Sequence, residues 1–160
     1  MVQRTMLMFK SDMMERGLWP EILTEFVIRP GFNICAMKMV EPTAAQWQKH
    51  FGHLPPEVRR RVIQTSRQTP VIIMVVEGDE AVARLRDAAG STAPGEATRS
   101  TIRRRFGHAS EKTLKSGKNP RLNNTIHTSA TKDEADAEIE NFFSPEEIHG
   151  HRFVYASFAY

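Results

Sequence analysis

The strongest constraint on the fold is a repeated change of period along the chain. Three short runs rich in β-branched, Met and Phe residues, Thr5 to Phe9, Phe32 to Val40 and Val71 to Val76, read as strands bounded by turn or charged residues. Between them the apolar residues recur at helical spacing. Pro20 to Ile28 sets Ile22, Leu23, Phe26 and Val27 on one face and stops at Pro30-Gly31. Thr43 to Phe51 and Pro56 to Thr65 read as two more helices, the second opening on a first-turn proline and carrying Val58, Val62 and Ile63. Glu80 to Ala89 is another, with Ala81, Val82 and Leu85 facing inward and Gly90 beyond its end. Strands interleaved with helices in this way indicate an α/β or α+β sandwich. A chain of 160 residues fits a single domain. Its longest purely apolar run, Val71 to Val76, falls far short of the ~18 residues that a membrane-spanning helix needs.

Residues 90 to 121 are poor in apolar positions and rich in Gly, Ser, Thr, Pro and basic residues, so they read as one long loop, and loops of this length inside a compact domain are usually functional or disordered. Order is expected again from Asn124 to Ser129. A Thr131-Lys-Asp-Glu134 capping box then starts a helix to about Phe143, with Ala135, Ile139 and Phe142 facing in. The tail from Phe153 to Tyr160 alternates as a late strand or docked extension would. The formal net charge of +3 hides an asymmetry, because Arg99 to Arg121 holds eight basic residues against Glu111 alone. The rest of the chain, with 14 basic and 18 acidic residues, is net negative. A phosphorylated ligand or polyanion is the partner such a segment suits, and a solvated basic loop is the plainer alternative.

Cys35 is the sole cysteine and is read as a core residue, which excludes an intrachain disulfide and a thiolate metal cluster and suits a reducing compartment. Met1 to Lys10 has no signal-peptide pattern, so a cytoplasmic location is expected. No Walker lysine loop, Gly-x-Ser-x-Gly elbow or His-Glu-x-x-His motif is present. Six histidines remain. His50 and His53 lie one helical turn apart and His149 and His151 alternate, yet no Cys, Asp or Glu stands at a matching ligand spacing. These four and His108 are read as structural or surface residues, with no metal site. His127 differs by its place, in the short ordered segment just after the basic loop.

Four separated motifs set His127 in company. They are Lys10-Ser11-Asp12 with Glu15-Arg16-Gly17-Leu18; Gly31-Phe32 leading to Ala36-Met37-Lys38; Pro70-Val71 leading to Glu77-Gly78 and Ala81-Val82; and Gly90-Ser-Thr-Ala-Pro94, Thr101-Ile-Arg103 and Asn124-Thr-Ile-His127-Thr-Ser129. In order and spacing the sequence resembles the nucleoside diphosphate kinase family from Arg4 to Ile148. The resemblance implies a ferredoxin-like sandwich with a four-stranded antiparallel sheet, assembled as a hexamer or tetramer. It also implies ping-pong transfer of a γ-phosphate from a nucleoside triphosphate to a nucleoside diphosphate, with Mg²⁺ bridging the phosphates. His127 then matches the phosphorylated nucleophile and Glu138 the carboxylate that orients its ring. Lys10, Arg86, Thr92 and Arg103 match phosphate contacts, Lys10 and Asn124 the ribose 3′-hydroxyl contacts, and Phe51 and Val58 the remaining nucleotide-binding positions. The residue type suits the chemistry: an imidazole of pKa ~6.5 is largely neutral near pH 7, and its phosphoramidate passes the group on.

The departures are specific. Ser11 stands where the family has proline, Phe51 where it has tyrosine, Thr128 where it has glycine, Ala130 where it has aspartate, and Arg104-Arg105 where it has Gly-Asp. Val58 takes the place of the phenylalanine that stacks on the base. The expected organisation is one domain over 1–149 with a basic insertion at about 107–122 and an extension over 150–160. A second reading is a catalytically weak homologue that binds nucleotides or nucleic acid through the 99–121 segment.

Overall fold

A computed structural model of the chain describes residues 1–66, 70–107 and 125–150. Four strands, β1 (Val2–Phe9), β2 (Asn33–Val40), β3 (Val71–Asp79) and β4 (Ile126–Thr128), form one sheet in the order β2-β3-β1-β4, with every neighbouring pair antiparallel. Seven helices accompany them among the described residues: α1 (Ser11–Arg16), α2 (Trp19–Leu23), α3 (Ala44–His50), α4 (Pro56–Ser66), α5 (Ala81–Ala89), α6 (Ile102–Phe106) and α7 (Lys132–Phe142). This is the ferredoxin-like sandwich that the sequence implied. No described helix is long and apolar enough to cross a membrane.

Strand alternation divides the core between the two faces of the sheet. Leu7, Phe9, Ile72, Met74 and Val76 pack under Met13, Ile22, Val27, Leu85 and Ile102 on one face. Met6, Met8, Ile73 and Val75 pack under Trp47, Ile63, Ile139 and Phe142 on the other. Both central strands are thus buried on both sides, which explains why Val71 to Val76 reads as a continuous apolar run.

Several elements differ from the sequence reading. The strands β1 and β3 extend further, to Val2 and Asp79, because their polar ends pair with each other, Arg4 against Glu77 and Val2 against Asp79. The helix expected over Pro20 to Ile28 is α2 followed by a π-helical turn, Thr24–Ile28, in which Arg29 N–H donates to Thr24 O and Phe32 N–H donates to Val27 O. Helix α1 was not foreseen; it is short and ends at Gly17, whose φ of 65° closes the turn in the left-handed region. Ser11 occupies its first helical position, where proline is also at home, so that departure leaves the backbone unchanged. The long loop expected from 90 to 121 contains a 3₁₀ turn, Pro94–Glu96, and helix α6. Only Ile102 and Phe106, one turn apart and both buried, mark α6 among its arginines. Before α7, Thr131 Oγ1 accepts the Glu134 N–H, while the Glu134 carboxylate takes the Ala130 N–H rather than that of Thr131, so the capping box closes one residue early. The late strand expected from Phe153 to Tyr160, Asn124, and the insertion from His108 onward lie outside the described residues.

Candidate active site

Strand β1 delivers Lys10 at its C-terminal end, and Lys10 N–H donates to Thr125 O at 2.9 Å. That bond starts the pairing that sets Met8 opposite His127. Thr125 itself has a φ of 70°, a left-handed conformation that a β-branched residue adopts only when its surroundings impose it. His127 therefore stands on the edge strand, beside the exit of the central one, with its side chain 15% exposed.

Two helices close around the ring. Helix α7 brings Glu138, whose Oε1 lies 2.7 Å from His127 Nε2. Helix α3 ends at His50, whose Nδ1 lies 3.1 Å from the same oxygen. Ser129 Oγ donates to Glu138 Oε2 at 2.7 Å and accepts the Met6 N–H at 3.3 Å. Both oxygens of the carboxylate are thereby engaged. Burial alone would raise the pKa of Glu138, but hydrogen bonding to His127 and His50 outweighs it and holds the carboxyl well below the usual range, so it stays ionised. Burial pushes the His127 imidazole down to about 4, against the raising influence of Glu138, so the ring is neutral at pH 7. With Nε2 turned to the carboxylate, the lone pair of the neutral ring belongs to Nδ1.

His50, expected as a structural or surface residue, is buried within this cluster, its ring 4.6 Å from that of His127 at 78°. The signal for it lies in α3. The Thr43 and Gln46 side chains cap the helix reciprocally, which fixes its phase so that Trp47 and His50, three residues apart, both face inward. Ser129, part of the motif around His127, takes its role only through the contact with Glu138.

The positive side of the site is built from three elements. Arg103 on α6 is buried, donating Nη1 to Gly90 O at 2.6 Å and Nη2 to Ile126 O at 3.1 Å. Gly90 is required there, since its φ is 79° and a Cβ would collide with Thr101. Arg86 on α5 donates Nη1 to Thr128 O at 3.1 Å. Burial lowers Lys10 to about 8 and Arg103 to about 10, with the mutual repulsion of the two charges adding to the shift in Lys10. A site that crowds cations until their pKa values fall is one that an anion stabilises. His127, Glu138, Lys10, Arg86 and Arg103 are thus brought together. Phe51 joins them through its ring, stacked on Trp47 at 5.4 Å and edge-on to His50 at 4.7 Å. Val58 and Thr92 are exposed, on α4 and on the loop after α5, and Asn124 lies outside the described residues.

His50, His127 and Glu138 also have the residue types of a cation site. Their nitrogens lie 3.1 and 2.7 Å from one carboxylate oxygen, and the charge of Lys10 bears on His127.

Comparison with known proteins agrees with this geometry. The family model described as nucleoside diphosphate kinase matches residues 3–148. A nucleoside diphosphate kinase of Pyrococcus horikoshii is 35% identical over 147 residues, covering 91% of this chain and 88% of that protein. One from Thermus thermophilus is 34% identical over 148 residues, covering 92% of this chain and 99% of its own length. Among solved structures, a transition-state mimic of the nucleoside-diphosphate kinase from Borrelia burgdorferi with bound vanadate and ADP superimposes with a TM-score of 0.85 at 29% identity, covering 94% of this chain and 92% of that one. With the match running from the first strand past α7, the chain belongs to the nucleoside diphosphate kinase family.

Proposed function

We propose that this kinase carries the γ-phosphate on Nδ1 of His127. The observation that supports the choice of atom is the 2.7 Å approach of Nε2 to Glu138, which leaves Nδ1 as the ring's nucleophilic nitrogen. In the first half-reaction Nδ1 attacks the γ-phosphorus, the bond from that phosphorus to the β–γ bridging oxygen breaks, and the diphosphate leaves with the bond's electrons. Positive charge developing on the ring faces an ionised carboxylate, while Lys10, Arg86 and Arg103 face the phosphoryl oxygens. The second half-reaction reverses these bonds: a terminal oxygen of another nucleoside diphosphate attacks the phosphorus and Nδ1 leaves. Neither step requires a proton to leave His127.

Mg²⁺, when bound with the nucleotide, would supply charge neutralisation of the phosphates. Glu138 is engaged on both oxygens, on the Nε2 side of the ring, and Ala130 stands where the family has aspartate. The residues therefore fit a cation held on the nucleotide's phosphates rather than on a protein carboxylate. Thr92 and Asn124 serve the phosphates and the ribose by their matching positions. Val58, 45% exposed, offers the base an apolar surface without a π-face, so base binding is loose and unselective. For the nucleic-acid alternative the described part of the basic segment offers little: Arg103 and Arg104 donate to Gly90 O and Gly95 O, and Arg105 pairs with Glu25.

Incubation with γ-labelled ATP and Mg²⁺ is expected to place an acid-labile, alkali-stable label on the protein, and His127→Asn to abolish both label and transfer. Label persisting in that variant would sink the assignment.

A further inference from the structure

The strand that carries His127 is three residues long and forms one edge of the sheet. Its pairing with β1 uses alternate residues. Lys10 N–H donates to Thr125 O at 2.9 Å and Ser129 N–H donates to Met6 O at 3.4 Å, so the main-chain groups of residues 125, 127 and 129 face β1. By the two-residue period of a strand, the carbonyls of Ile126 and Thr128 point the other way, where a further strand would pair with them. Two arginines stand there instead. Arg103 Nη2 donates to Ile126 O and Arg86 Nη1 donates to Thr128 O, both at 3.1 Å. The carbonyls immediately before and after His127 are therefore each held by a guanidinium, one from α6 and one from α5.

We propose that Arg86 and Arg103 stand in for the missing neighbour strand and act as positioning residues for the nucleophile, holding β4 in place from its outer edge before any nucleotide arrives. The inference rests on the reading of His127 as the phosphorylated residue, and goes beyond it by giving the two arginines a task in the free enzyme. Three observations make the task necessary. With only three residues, β4 has a short ladder to β1. The chain enters it through Thr125 at a φ of 70°, a conformation that persists only under outside constraint. Arg103 is moreover fastened at its other end, through Nη1 to Gly90 O, so the grip on Ile126 is anchored to the end of α5. By their matching positions Arg86 and Arg103 are also the residues expected to meet the phosphates. Strand and phosphate are then held by the same groups, and the nucleophile is placed relative to the anion it attacks.

Amide hydrogen exchange on the nucleotide-free protein tests this, together with carbethoxylation of His127 by diethyl pyrocarbonate, a neutral electrophile that brings no phosphate. Arg86 is the residue to change, because it is half-buried whereas Arg103 is part of the core. In Arg86→Ala, exchange at the His127 and Ser129 amides, which face β1, is expected to rise about tenfold while β2 and β3 stay protected, and the carbethoxylation rate of His127 is expected to rise. Arg86→Lys keeps a single donor and is expected to restore part of the protection; it also supplies the same readings if the alanine variant fails to fold. Unchanged exchange and carbethoxylation in both variants, beside reduced phosphorylation by nucleotide, would overturn the inference and leave Arg86 as a phosphate contact alone. So would a rise spread evenly over all four strands, which reports loss of global stability. An error in the nucleophile itself would surface elsewhere, as label retained in His127→Asn.

Discussion

His127 is neutral because burial outweighs the carboxylate beside it, and Lys10 is easily discharged because burial and Arg103 both oppose its charge. The two shifts frame the pH dependence of kcat/KM, which reports the free enzyme. As pH falls through about 4 the imidazole gains a proton and loses its nucleophilic lone pair, and as pH rises through about 8 Lys10 loses the charge that meets the phosphates. A plateau between those limits is expected, and Lys10→Arg should push the alkaline limb upward. An acid limb near pH 6.5, the ordinary histidine value, would show that burial does not govern the ring. Stability follows the same groups. The folded pKa of His127 lies below its ordinary 6.5, so the native state binds fewer protons than the unfolded one between 6.5 and about 4 and is progressively destabilised as pH falls through that window. Glu138, also held low, adds to the acid loss below the ordinary carboxylate range. The urea midpoint should therefore fall from pH 6.5 toward 4, and fall less in His127→Asn.

The three consecutive arginines of α6 show how one short element divides its labour. Arg103 is buried against Gly90 O and Ile126 O, Arg104 is exposed and reaches Gly95 O, and Arg105 pairs with Glu25 while lying over the Phe26 and Phe106 rings. Arg103→Ala leaves the buried Ile126 carbonyl without its donor, at about 1–3 kcal/mol, and also loses the part-buried bond to Gly90 O, so it should reduce turnover most. Arg105→Ala removes a surface pair worth about 0–1 kcal/mol together with some ring contact, and Arg104→Ala less again. Thermal unfolding and single-turnover phosphorylation of the three variants should rank accordingly; equal losses would mean that α6 contributes only diffuse charge. The helix also marks where sequence reading reached its limit. Elements with strong periodicity, such as β3 and α5, were legible because burial on a fixed face writes a pattern into the residues. Helix α6 was not, since its two buried apolar residues are outnumbered by arginines whose partners are carbonyls elsewhere in the chain. The same holds within the site. His127 could be found by its motif, whereas Glu138, four residues from Glu134 on a polar helix, carried no signal of its own and came only with the family resemblance. For His50 the spacing from Trp47 in the capped helix α3 encodes burial, but its place in the site is tertiary, a 3.1 Å contact with a residue 88 positions away.

At the scale of the whole molecule the two edges of the sheet have different fates. The β4 edge is closed by arginines. Among the described residues the β2 edge is covered by the chain itself only in part, where His149 N–H donates to Cys35 O at 2.8 Å beside the bulge between Ile34 and Ala36. Beyond that point Met37 and Met39 remain 41% and 60% exposed, although the register sets them beside Met74 and Ile72 on an otherwise buried face. An edge strand with unpaired main-chain groups and apolar side chains is a template for another strand, and proteins that stay monomeric blunt such edges with charge. The assembly expected of this chain is accordingly proposed to begin here, by antiparallel pairing of β2 with β2 of a second copy about a two-fold axis, which would join both sheets and bring the methionines of each copy together. Sedimentation should show a multiple of the 18.2 kDa chain mass. Replacing both residues, Met37→Lys with Met39→Lys, sets like charges across the axis and should shift the protein to the monomer. The distance of this edge from His127, across β3 and β1, makes the outcome for catalysis informative. A monomer that still accepts label from ATP would place the whole chemistry within one chain, with assembly serving stability. A variant that sediments like the parent would remove β2 as the pairing edge.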